Sequence, residues 1–438
     1  MKRRNFLTQT AVAAGLSVTL PSTASSSLTN DRITIAMIGV RGRGNSVLKA
    51  FTENPQVDVK YICDVDETVL QRRTTELIKR TGRPTEAVND FRRCIDDPAV
   101  NAIVLATPTH WHAIPTIMAC QAGKDVYVEK PDAHNAVEGR LMVKAAKQHE
   151  RIIQLGTQSR SGQFFQDMVQ FMKEGKIGRP LFAKAWESCR QGSLGHPPDS
   201  SPPAGVDYDM WLGPAPKRTF NPMRFHGNWR WFFDYGAGDL GNDGVHRLDT
   251  TRWAFEAALK GANQPALGSL QAISAHGGKC YFDDIQECPD NLMITYDYGQ
   301  GRIMTYEMRL WSPYPLEGET EGGAVYGDEG YVIIGNNRWR AFEKGGKLVK
   351  EQAGSYHGND VSHVNNFLDC MRSRTKPNAD LETIGHPSSL MCHLGNAAWR
   401  VGRTIRFDAE TYTCSDDPTA NQFLTRPKYR KPWTLPSV

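Results

Sequence analysis

The sequence predicts an α/β protein with a parallel sheet in its N-terminal part and a C-terminal α+β domain whose sheet is mostly antiparallel. Between residues 32 and 156, short apolar runs alternate with helical patterns, an order typical of βαβ units. From Leu181 onward, apolar runs follow one another between turn residues, which favours antiparallel pairing. The length of 438 residues suits two domains. We therefore expect domains at residues 31–156 and 157–438, after a leader at residues 1–30.

The first domain is expected to contain five strands, each a nearly continuous apolar run, as in sheets buried on both faces. They are predicted at Arg32–Val40, Val57–Cys63, Ala102–Ala106, Asp125–Glu129 and Ile152–Gly156. Helices are predicted between them at Asn45–Thr52, Glu67–Arg80, His112–Ala122 and Ala136–Glu150. This alternation places the carboxyl ends of the strands at one edge, where such sheets bind ligands.

The second domain is expected to pack one sheet face on helices. Its strands are predicted at Leu270–Ala275, Asn291–Tyr298, Arg302–Trp311, Tyr331–Ile334 and Arg338–Glu343. Its helices are predicted at Asp243–Glu256, Val361–Arg372 and Ser388–Arg403.

The first residues resemble a twin-arginine export signal. Arg3 and Arg4 precede a Phe-Leu pair, and no charged side chain occurs from Asn5 to Asn30. The apolar part is diluted by Gly, Ser and Thr and falls short of the roughly 20 apolar residues that span a bilayer, so a signal cleaved near Ser22–Ala24 is favoured. We expect export to the periplasm; an uncleaved anchor or a disordered tail is the alternative.

Charge and cysteine content exclude several classes of partner. A net charge of +4 over 438 residues is too dilute to indicate nucleic acid or an anionic membrane surface. The nine cysteines contain no C-x-x-C pair, so neither a zinc site nor a disulfide framework is indicated. Cys280 and Cys288 could form a disulfide in an oxidising compartment, whereas folding in the reducing cytoplasm would leave most thiols free.

A glycine-rich turn follows the first predicted strand. Residues 39–44 read GVRGRG, so that Gly39, Gly42 and Gly44 enclose Arg41 and Arg43. Glycines at such a turn let backbone N–H groups approach a pyrophosphate at a helix N-terminus. The usual fingerprint is G-x-G-x-x-G, and Arg41 takes its second glycine position. Either the loop swings slightly or the guanidinium lies beside the phosphates.

Asp64 supports a dinucleotide site because it ends the second predicted strand. A carboxylate at this position can accept hydrogen bonds from the adenine ribose and would repel a 2′-phosphate. The sequence therefore predicts a Rossmann domain that binds NAD rather than NADP. The alternative is that Asp64 only caps the following helix.

Two further motifs follow strands at the same edge. They read ATPTHWH at residues 106–112 and VEKP at residues 128–131. Together with the glycine turn they resemble the glucose–fructose oxidoreductase/inositol dehydrogenase (Gfo/Idh/MocA) family. The resemblance covers nearly everything after the leader, including GTQ at 156–158, WLGP at 211–214 and GAGDLGNDGVHRLD at 236–249. It implies a homo-oligomer that associates through the open face of the C-terminal sheet.

Lys130 is the first candidate for catalysis. Transfer of a hydride from a sugar carbon to nicotinamide requires removal of the hydroxyl proton, and a lysine desolvated beside a positive ring should lose its own proton more readily. A solvated surface lysine is the alternative. His246 is the second candidate because imidazole titrates in the useful pH range; a packed core histidine is its alternative.

By their i, i+4 and i+3 spacing, Asn242, His246 and Asp249 are expected on one helix face. Many family members carry aspartate at the position of Asn242, and an amide cannot stabilise imidazolium as a carboxylate does. Either Lys130 therefore carries more of the reaction, or Asp243 or Asp249 supplies the missing charge.

The resemblance implies further contacts to the cofactor. It places His110, Trp111 and His112 along the nicotinamide and Gln158 near the ribose or nicotinamide. Thr107, Pro108 and Glu129 are assigned to the same site. The two histidines lack a third ligand at metal spacing, so no metal is expected.

The substrate is expected to contact polar and aromatic side chains of the second domain. Aromatic residues are dense from Trp229 to Tyr235 and offer faces on which sugar rings can stack. An aromatic packing surface between domains or subunits is the alternative. The assigned substrate residues are Arg160, Arg224, Trp229, Tyr235 and Asp249.

Three functions follow from these features. The first is an exported NAD-dependent oxidoreductase that acts on a sugar, sugar derivative or polyol, with a cofactor bound before export. The second is a redox-neutral glycosidase that oxidises C3, eliminates the C1 substituent, adds water and re-reduces, as relatives with similar leaders do. The third is a cofactor- or carbohydrate-binding protein without catalysis, which Asn242 and Arg41 together would suit.

Overall fold

The computed structural model describes residues 32–355 and 357–438, so the predicted leader lies outside the described residues. The strands are β1 Ile33–Ile38, β2 Val57–Cys63, β3 Glu86–Val88, β4 Ala102–Leu105, β5 Asp125–Val128, β6 Ile153–Leu155, β7 Pro180–Ser188, β8 Ala272–Gly278, β9 Asn291–Asp297, β10 Ile303–Arg309, β11 Glu321–Gly327, β12 Gly330–Ile334, β13 Arg338–Glu343, β14 Leu348–Ala353, β15 Ile405–Asp408 and β16 Thr413–Cys414.

The α-helices are α1 Gly42–Glu53, α2 Glu67–Thr81, α3 Arg92–Asp96, α4 Ala113–Gln121, α5 Ala136–Gln148, α6 Gln163–Lys173, α7 Tyr208–Leu212, α8 Val245–Gly261, α9 Asp360–Ser373, α10 His386–Val401 and α11 Pro418–Phe423. Short 3₁₀ helices occur at Thr109–Trp111, Gln158–Ser161, Pro222–Arg224 and His226–Trp231. Two π-helical turns, Leu240–Gly244 and Leu381–Gly385, lead directly into α8 and α10.

The first sheet is parallel throughout, in the order β3-β2-β1-β4-β5-β6. All five predicted strands are present, and the structure adds the short edge strand β3. The strand order reverses between β1 and β4, so a crevice opens outside their carboxyl ends, as expected for a doubly wound sheet. The predicted α/β fold class is confirmed.

The second sheet has ten strands in the order β14-β13-β12-β11-β7-β10-β9-β8-β15-β16. Its pairs are antiparallel except for β7 and β10. Buried and partly exposed residues alternate along β9 and β10, the pattern of strands with one face in the core. Helices α8 and α10 cover that face.

Several elements were missed in the sequence. Strand β11 reads EGGAVYG, and glycines weaken a strand signal. Gly323 is required there because a Cβ would lie 1.9 Å from Oγ1 of Thr251 on α8. Strand β7 begins with a proline and contains Lys184 and Glu187, so its sequence lacks the apolar run by which the other strands were predicted. Helix α6 was also overlooked, although its apolar residues recur at helical spacing.

Residues beyond position 156 complete the hydrophobic core of the first domain. Helix α9 packs against α1, and its Phe367 ring meets Phe51 at a centroid distance of 6.2 Å. Near the C-terminus, the ring of Trp433 lies 4.7 Å from that of Trp111. The boundary at residue 156 therefore separates the two sheets but not the two hydrophobic cores.

All nine cysteines are free thiols, including Cys280 and Cys288. Among the described residues, the helices are too short or too polar to cross a bilayer.

Candidate active site

A cleft of about 550 Å³ lies between the carboxyl edge of the parallel sheet and the second domain. Its wall on the first domain contains residues from the glycine turn, the end of β2, and the segments that follow β4 and β5. Its other wall comes from the segment between β7 and α8. The predicted site residues among those lining the cleft are Gly39, Arg41, Gly42, Arg43, Asp64, Thr107, Pro108, Trp111, Glu129, Lys130, Trp229 and Asn242.

The glycine turn needs glycine at two positions for steric reasons. Gly39 has φ +81°, and a Cβ on it would lie 2.7 Å from the carbonyl oxygen of Ala106. A Cβ on Gly44 would lie 1.9 Å from the carbonyl oxygen of Gly39. By contrast, a Cβ on Gly42 would meet open space at the start of α1. Arg41 has an extended backbone with φ −82°, so this loop does not require glycine at that position.

Asp64 is held at the carboxyl end of β2 by two backbone N–H groups. Val40 donates to Oδ2 at 2.9 Å and Asp66 donates to Oδ1 at 3.1 Å. Burial raises the pKa of the Asp64 carboxyl, and these hydrogen bonds oppose the shift. Asp66, rather than Asp64, caps α2 by accepting from the N–H of Val69. Asp64 is therefore free of the capping role and faces the cleft.

Arg43 does not extend freely toward a phosphate. Its guanidinium contacts Glu129 at 2.9 Å and Asp360 of α9 at 2.6 Å. Gln158 is absent from the residues that line the cleft and donates to Glu129 at 3.0 Å and to the Tyr127 hydroxyl at 2.9 Å. Together these contacts fix Glu129 beside Lys130. Gln158 thus supports a residue of the cleft wall, and its direct contact with the cofactor stays a prediction.

The histidines of the THWH segment do not line the cleft. His110 is buried, with Nε2 2.8 Å from the carbonyl oxygen of Trp211, and burial lowers its pKa to about 3. His112 is buried between the carbonyl oxygens of Thr107 and Pro131, at 2.9 and 2.8 Å. The expectation that both rings lie along the nicotinamide is therefore corrected. His112 links the turn after β4 to the corner after β5.

Thr107, Pro108 and Trp111 of the same segment do reach the cleft. The indole N–H of Trp111 donates to the carbonyl oxygen of Met210 at 2.9 Å, which ties this wall to the second domain. Thr107 Oγ1 is buried without a hydrogen-bond partner among the described residues. A buried hydroxyl without a partner is unfavourable, so Thr107 offers a contact to a ligand.

Lys130 and Asn242 meet across the cleft. Nζ of Lys130 donates to the carbonyl oxygen of Asn242 at 2.6 Å and to its Oδ1 at 3.0 Å. Nδ2 of Asn242 donates to Oδ1 of Asp239 at 3.1 Å. The carboxylate linked to this chain is thus Asp239, not Asp243 or Asp249. Sequence reasoning missed Asp239, although it lies one helical turn before Asn242.

Residues 240–244 adopt a π-helical turn before α8 begins, so Asn242 does not share one regular α-helix with His246 and Asp249. A π turn changes the angular position of every residue that follows it. His246 lies in the first turn of α8, where burial and the Lys130 ammonium strongly lower its pKa. Its imidazole is therefore neutral at neutral pH. Asp243 is partly exposed and is absent from the cleft lining.

Arg160 and Asp249 pair with each other and do not line the cleft. Two guanidinium nitrogens of Arg160 lie 2.8 and 2.9 Å from the Asp249 carboxylate, and Ser388 donates to the same carboxylate at 2.6 Å. Their side chains are 3% and 1% exposed. Both predicted substrate contacts are therefore corrected to a buried structural ion pair.

The aromatic strip is divided between the cleft and the core. Trp229 lines the cleft together with Phe225, His226 and Arg230. Tyr235 is fully buried and absent from the cleft lining, and its substrate contact stays a prediction. Arg224 is also buried and pairs with Asp199 at 2.5 Å, outside the lining residues.

The second domain also reaches over the nucleotide edge, which was not foreseen. Nε2 of His226 lies 3.1 Å from Oδ2 of Asp66, at the start of α2. Nearby, the N–H of Glu67 donates to the carbonyl oxygen of Gly205 at 2.9 Å. These contacts hold the two walls of the cleft together beside Asp64.

The residues present fit a dinucleotide. The open position at Gly42 lies at a helix N-terminus, which suits a pyrophosphate. Asp64 offers a carboxylate for ribose hydroxyls, and the unpartnered Thr107 hydroxyl lies further along the same cleft. This fold and site define a two-domain, nucleotide-dependent enzyme class.

Comparison with known protein families agrees with this class. Residues 33–157 match the model described as "Oxidoreductase family, NAD-binding Rossmann fold". Residues 163–273 and 347–435 match "Oxidoreductase family, C-terminal alpha/beta domain". Both models describe Gfo/Idh/MocA domains and together match well over half of the chain. The protein belongs to the Gfo/Idh/MocA oxidoreductase family, and its first domain is an NAD-binding Rossmann domain.

Individual proteins of known families align with this chain at low sequence identity. A glycosyl hydrolase family 109 protein of Shewanella baltica is 28% identical over 160 residues, which are 35% of this chain and 35% of the relative. The scyllo-inositol 2-dehydrogenase (NAD(+)) of Bacillus subtilis is 22% identical over 326 residues, which are 73% of this chain and 80% of the relative. The chain thus aligns with only about a third of the first relatives it matches.

A solved structure of levoglucosan dehydrogenase in complex with NADH and levoglucosan shares the fold. Its TM-score is 0.66 at 16% identity, and the match covers 86% of this chain and 99% of that one.

Proposed function

We propose that this protein is an NAD-dependent oxidoreductase that acts on a hydroxyl group of a sugar, sugar derivative or polyol and holds its cofactor tightly. The observation that carries the proposal is the position of Lys130. Its amine lies in the cleft at the junction of the nucleotide wall and the wall that contains Trp229 and Asn242.

The side chains around this junction are suited to alcohol oxidation. When bound, NAD supplies the hydride acceptor. Lys130 in its neutral form accepts the hydroxyl proton, and the two oxygens of Asn242 then hold the resulting ammonium. His246, neutral because of its lowered pKa, adds no competing positive charge beside Lys130. Trp229 offers an aromatic face to the sugar.

The proposal is tested on purified protein whose bound nucleotide has been quantified by mass spectrometry. Free sugars, polyols and nitrophenyl glycosides are screened for a change in nicotinamide absorbance and for product. We expect bound NAD and turnover with at least one carbohydrate. Bound NAD without any turnover would favour a non-catalytic binding protein, and protein unable to bind NAD would refute the proposal.

A second candidate is redox-neutral glycoside cleavage by oxidation at C3, elimination, hydration and re-reduction. It is favoured by the similarity to glycosyl hydrolase family 109 proteins. The transient ketone acidifies the C2 proton, so that solvent deuterium at C2 of the recovered sugar would identify this route. Net accumulation of NADH without glycoside cleavage would identify simple oxidation.

We further propose export through the twin-arginine pathway with NAD already bound. The motif at Arg3 and Arg4 supports export. The contacts of His226 and Gly205 with the nucleotide edge support retention, since they close the cleft beside Asp64. A variant with Arg3→Lys and Arg4→Lys should remain in the cytoplasm of a host with this pathway. Periplasmic recovery of that variant would contradict the proposal.

We also expect a homo-oligomer. Apolar side chains project from the large sheet, and Leu181 and Met293 are 48% and 41% exposed. Light scattering coupled to size-exclusion chromatography measures the mass directly, and the mass of a single chain, at most 48.9 kDa, would refute this expectation.

A further inference from the structure

A pair of buried carboxyl groups lies directly behind Asn242. Glu187 is near the end of β7 and is 1% exposed, and Asp239 precedes the π-helical turn and is 0% exposed. One oxygen of each, together with Sγ of Cys189, lies within 4.8 Å of the others. Two carboxyl groups this close and this buried cannot both ionise without a counter-charge.

The hydrogen bonds leave one carboxylate oxygen of this pair without a donor. Asp239 accepts from Asn242 through Oδ1, but its Oδ2 has no partner among the described residues. Glu187 accepts from Sγ of Cys189 and from the Tyr306 hydroxyl, both at 3.3 Å. One proton on Glu187 would complete the set, because it could be donated to Oδ2 of Asp239.

The surrounding charges favour placing that proton on Glu187. Burial, followed by the charge of Asp239, raises the pKa of Glu187 well above its usual value. Burial and then the charge of Asp243 raise the pKa of Asp239, whereas the hydrogen bond from the Asn242 amide lowers it. The other charged or titratable groups that face the pair are Cys189, Arg230, Asp243, Cys288, Tyr306 and Glu321, the last of which is paired with Arg247.

We propose that Glu187 and Asp239 share one proton, and that this singly charged pair orients the Asn242 amide so that its Oδ1 accepts from Lys130. An amide has one donating and one accepting end. With its N–H₂ group on the anionic Asp239, the carbonyl end of Asn242 must face the lysine. Glu187 and Asp239 are positioning residues, and the consequence for catalysis rests on the role proposed for Lys130.

This arrangement supplies a negative charge near Lys130 although position 242 carries an amide and not a carboxylate. The negative charge is present but lies one amide further from Lys130, so the ammonium meets an amide dipole instead of an ion. A neutral acceptor stabilises an ammonium less than a carboxylate does. Lys130 is thereby oriented by two oxygens that carry no formal charge.

The shared proton is tested by infrared difference spectroscopy of wild-type protein and the Glu187→Gln variant at neutral pH. We expect a protonated-carboxyl band in the wild type that shifts in D₂O and is lost in the variant. Elemental analysis of the wild type tests the competing explanation. Absence of the band, or one tightly bound divalent metal ion per chain in place of the proton, would overturn the proposal.

The positioning role is tested by acetylation of Lys130 with acetic anhydride across pH, followed by peptide mass spectrometry. Glu187→Gln keeps the charge on Asp239, so the pH of half-maximal acetylation should change little. Asp239→Asn combined with Glu187→Gln removes the charge and should lower that pH by about one unit.

Asp243→Asn is the matched comparison, because it removes a nearby carboxylate outside the hydrogen-bonded chain. Its pH of half-maximal acetylation should shift less than that of the double variant. The positioning role would be refuted if this pH were the same in wild type and double variant, or if it shifted more in Asp243→Asn. Neither readout uses a substrate, so both can succeed even if the proposed enzymatic activity fails.

Discussion

Nζ of Lys130 lies 2.6 Å from the carbonyl oxygen and 3.0 Å from Oδ1 of Asn242, although 112 positions separate the two residues. One residue follows strand β5 of the parallel sheet, and the other belongs to the π-helical turn of the second domain. The junction that we propose as the reactive site is therefore assembled from both domains.

Replacement of Lys130 tests its role in proton transfer. Lys130→Met keeps most of the side-chain volume but cannot accept a proton, so turnover of the best substrate should fall at least about 100-fold. Bound NAD should stay near the wild-type level, measured by mass spectrometry. Lys176→Met, at an exposed position, is the control and should retain full turnover. Activity of Lys130→Met within a factor of two of wild type would remove Lys130 from the mechanism.

Asp64 should determine nucleotide affinity and selectivity. Asp64→Ser removes the carboxylate that accepts from Val40 and Asp66 and faces the cleft. We expect a loss of NAD affinity of about 10- to 100-fold and a smaller preference over NADP. Titration calorimetry on nucleotide-free protein measures both. Asp96→Asn changes an exposed carboxylate of the same domain and should bind NAD like wild type. An unchanged NAD affinity in Asp64→Ser would exclude this ribose contact.

Two glycines of the phosphate turn should respond differently to alanine. A methyl group at Gly42 meets open space, so Gly42→Ala should fold with little change in melting temperature. It would nevertheless crowd a pyrophosphate at the start of α1, and NAD affinity should fall about tenfold or more. In Gly44→Ala the methyl group overlaps the Gly39 carbonyl, so that stability and affinity should both fall. Full NAD affinity in Gly42→Ala would show that the phosphates bind elsewhere.

The ion pair of Arg160 and Asp249 should matter for stability. Arg160→Ala leaves a fully buried carboxylate without its counter-charge, and the free energy of unfolding should fall by about 3–5 kcal/mol. Denaturant unfolding measures this loss. Lys347→Ala breaks an exposed pair with Glu343 and should cost less than about 1 kcal/mol. A similar small loss in both variants would contradict the structural role of Arg160.

His226 should make stability depend on pH. Burial, followed by the charge of Arg41, lowers the pKa of His226 from 6.5 to about 4. Between these values the unfolded state binds more protons, so the contribution of His226 to stability falls as the pH drops through this window, by up to about 1.4 kcal/mol per pH unit. His226→Asn suits the positive φ of 51° and should show a shallower decline. His276→Asn, at an exposed position of β8, should lose stability with falling pH as wild type does. The assignment would be refuted if stability fell as steeply with pH in His226→Asn as in wild type.

Most of the nucleotide wall could be predicted from the sequence because its signals are local. The apolar run before Gly39 and the carboxylate that ends β2 are each read within a few residues. The Lys130 corner follows β5 in the same way. Such segments keep their meaning in any fold with parallel strands, because the carboxyl ends of these strands always meet at one edge.

The substrate wall was predicted less well because its residues are placed by distant contacts. Arg160 and Asp249 are 89 positions apart, and their charges suggested exposure until the fold buried them together. His110 and His112 were assigned to the cofactor by resemblance, yet both rings point to backbone carbonyl groups. The π-helical turn before α8 also interrupts the regular α-helical spacing from which a shared face was predicted.

The sequence by itself determined the class of fold, the nucleotide turn and the lysine at the strand end, since each depends on hydrogen bonding and sterics between near neighbours. Only the tertiary structure decided which charges remain in the cleft and which neutralise each other in the interior. Asp239 shows the reason. Its proposed role in orienting Asn242 toward Lys130 depends on its burial beside Glu187 of β7, and burial is a property of the packed chain.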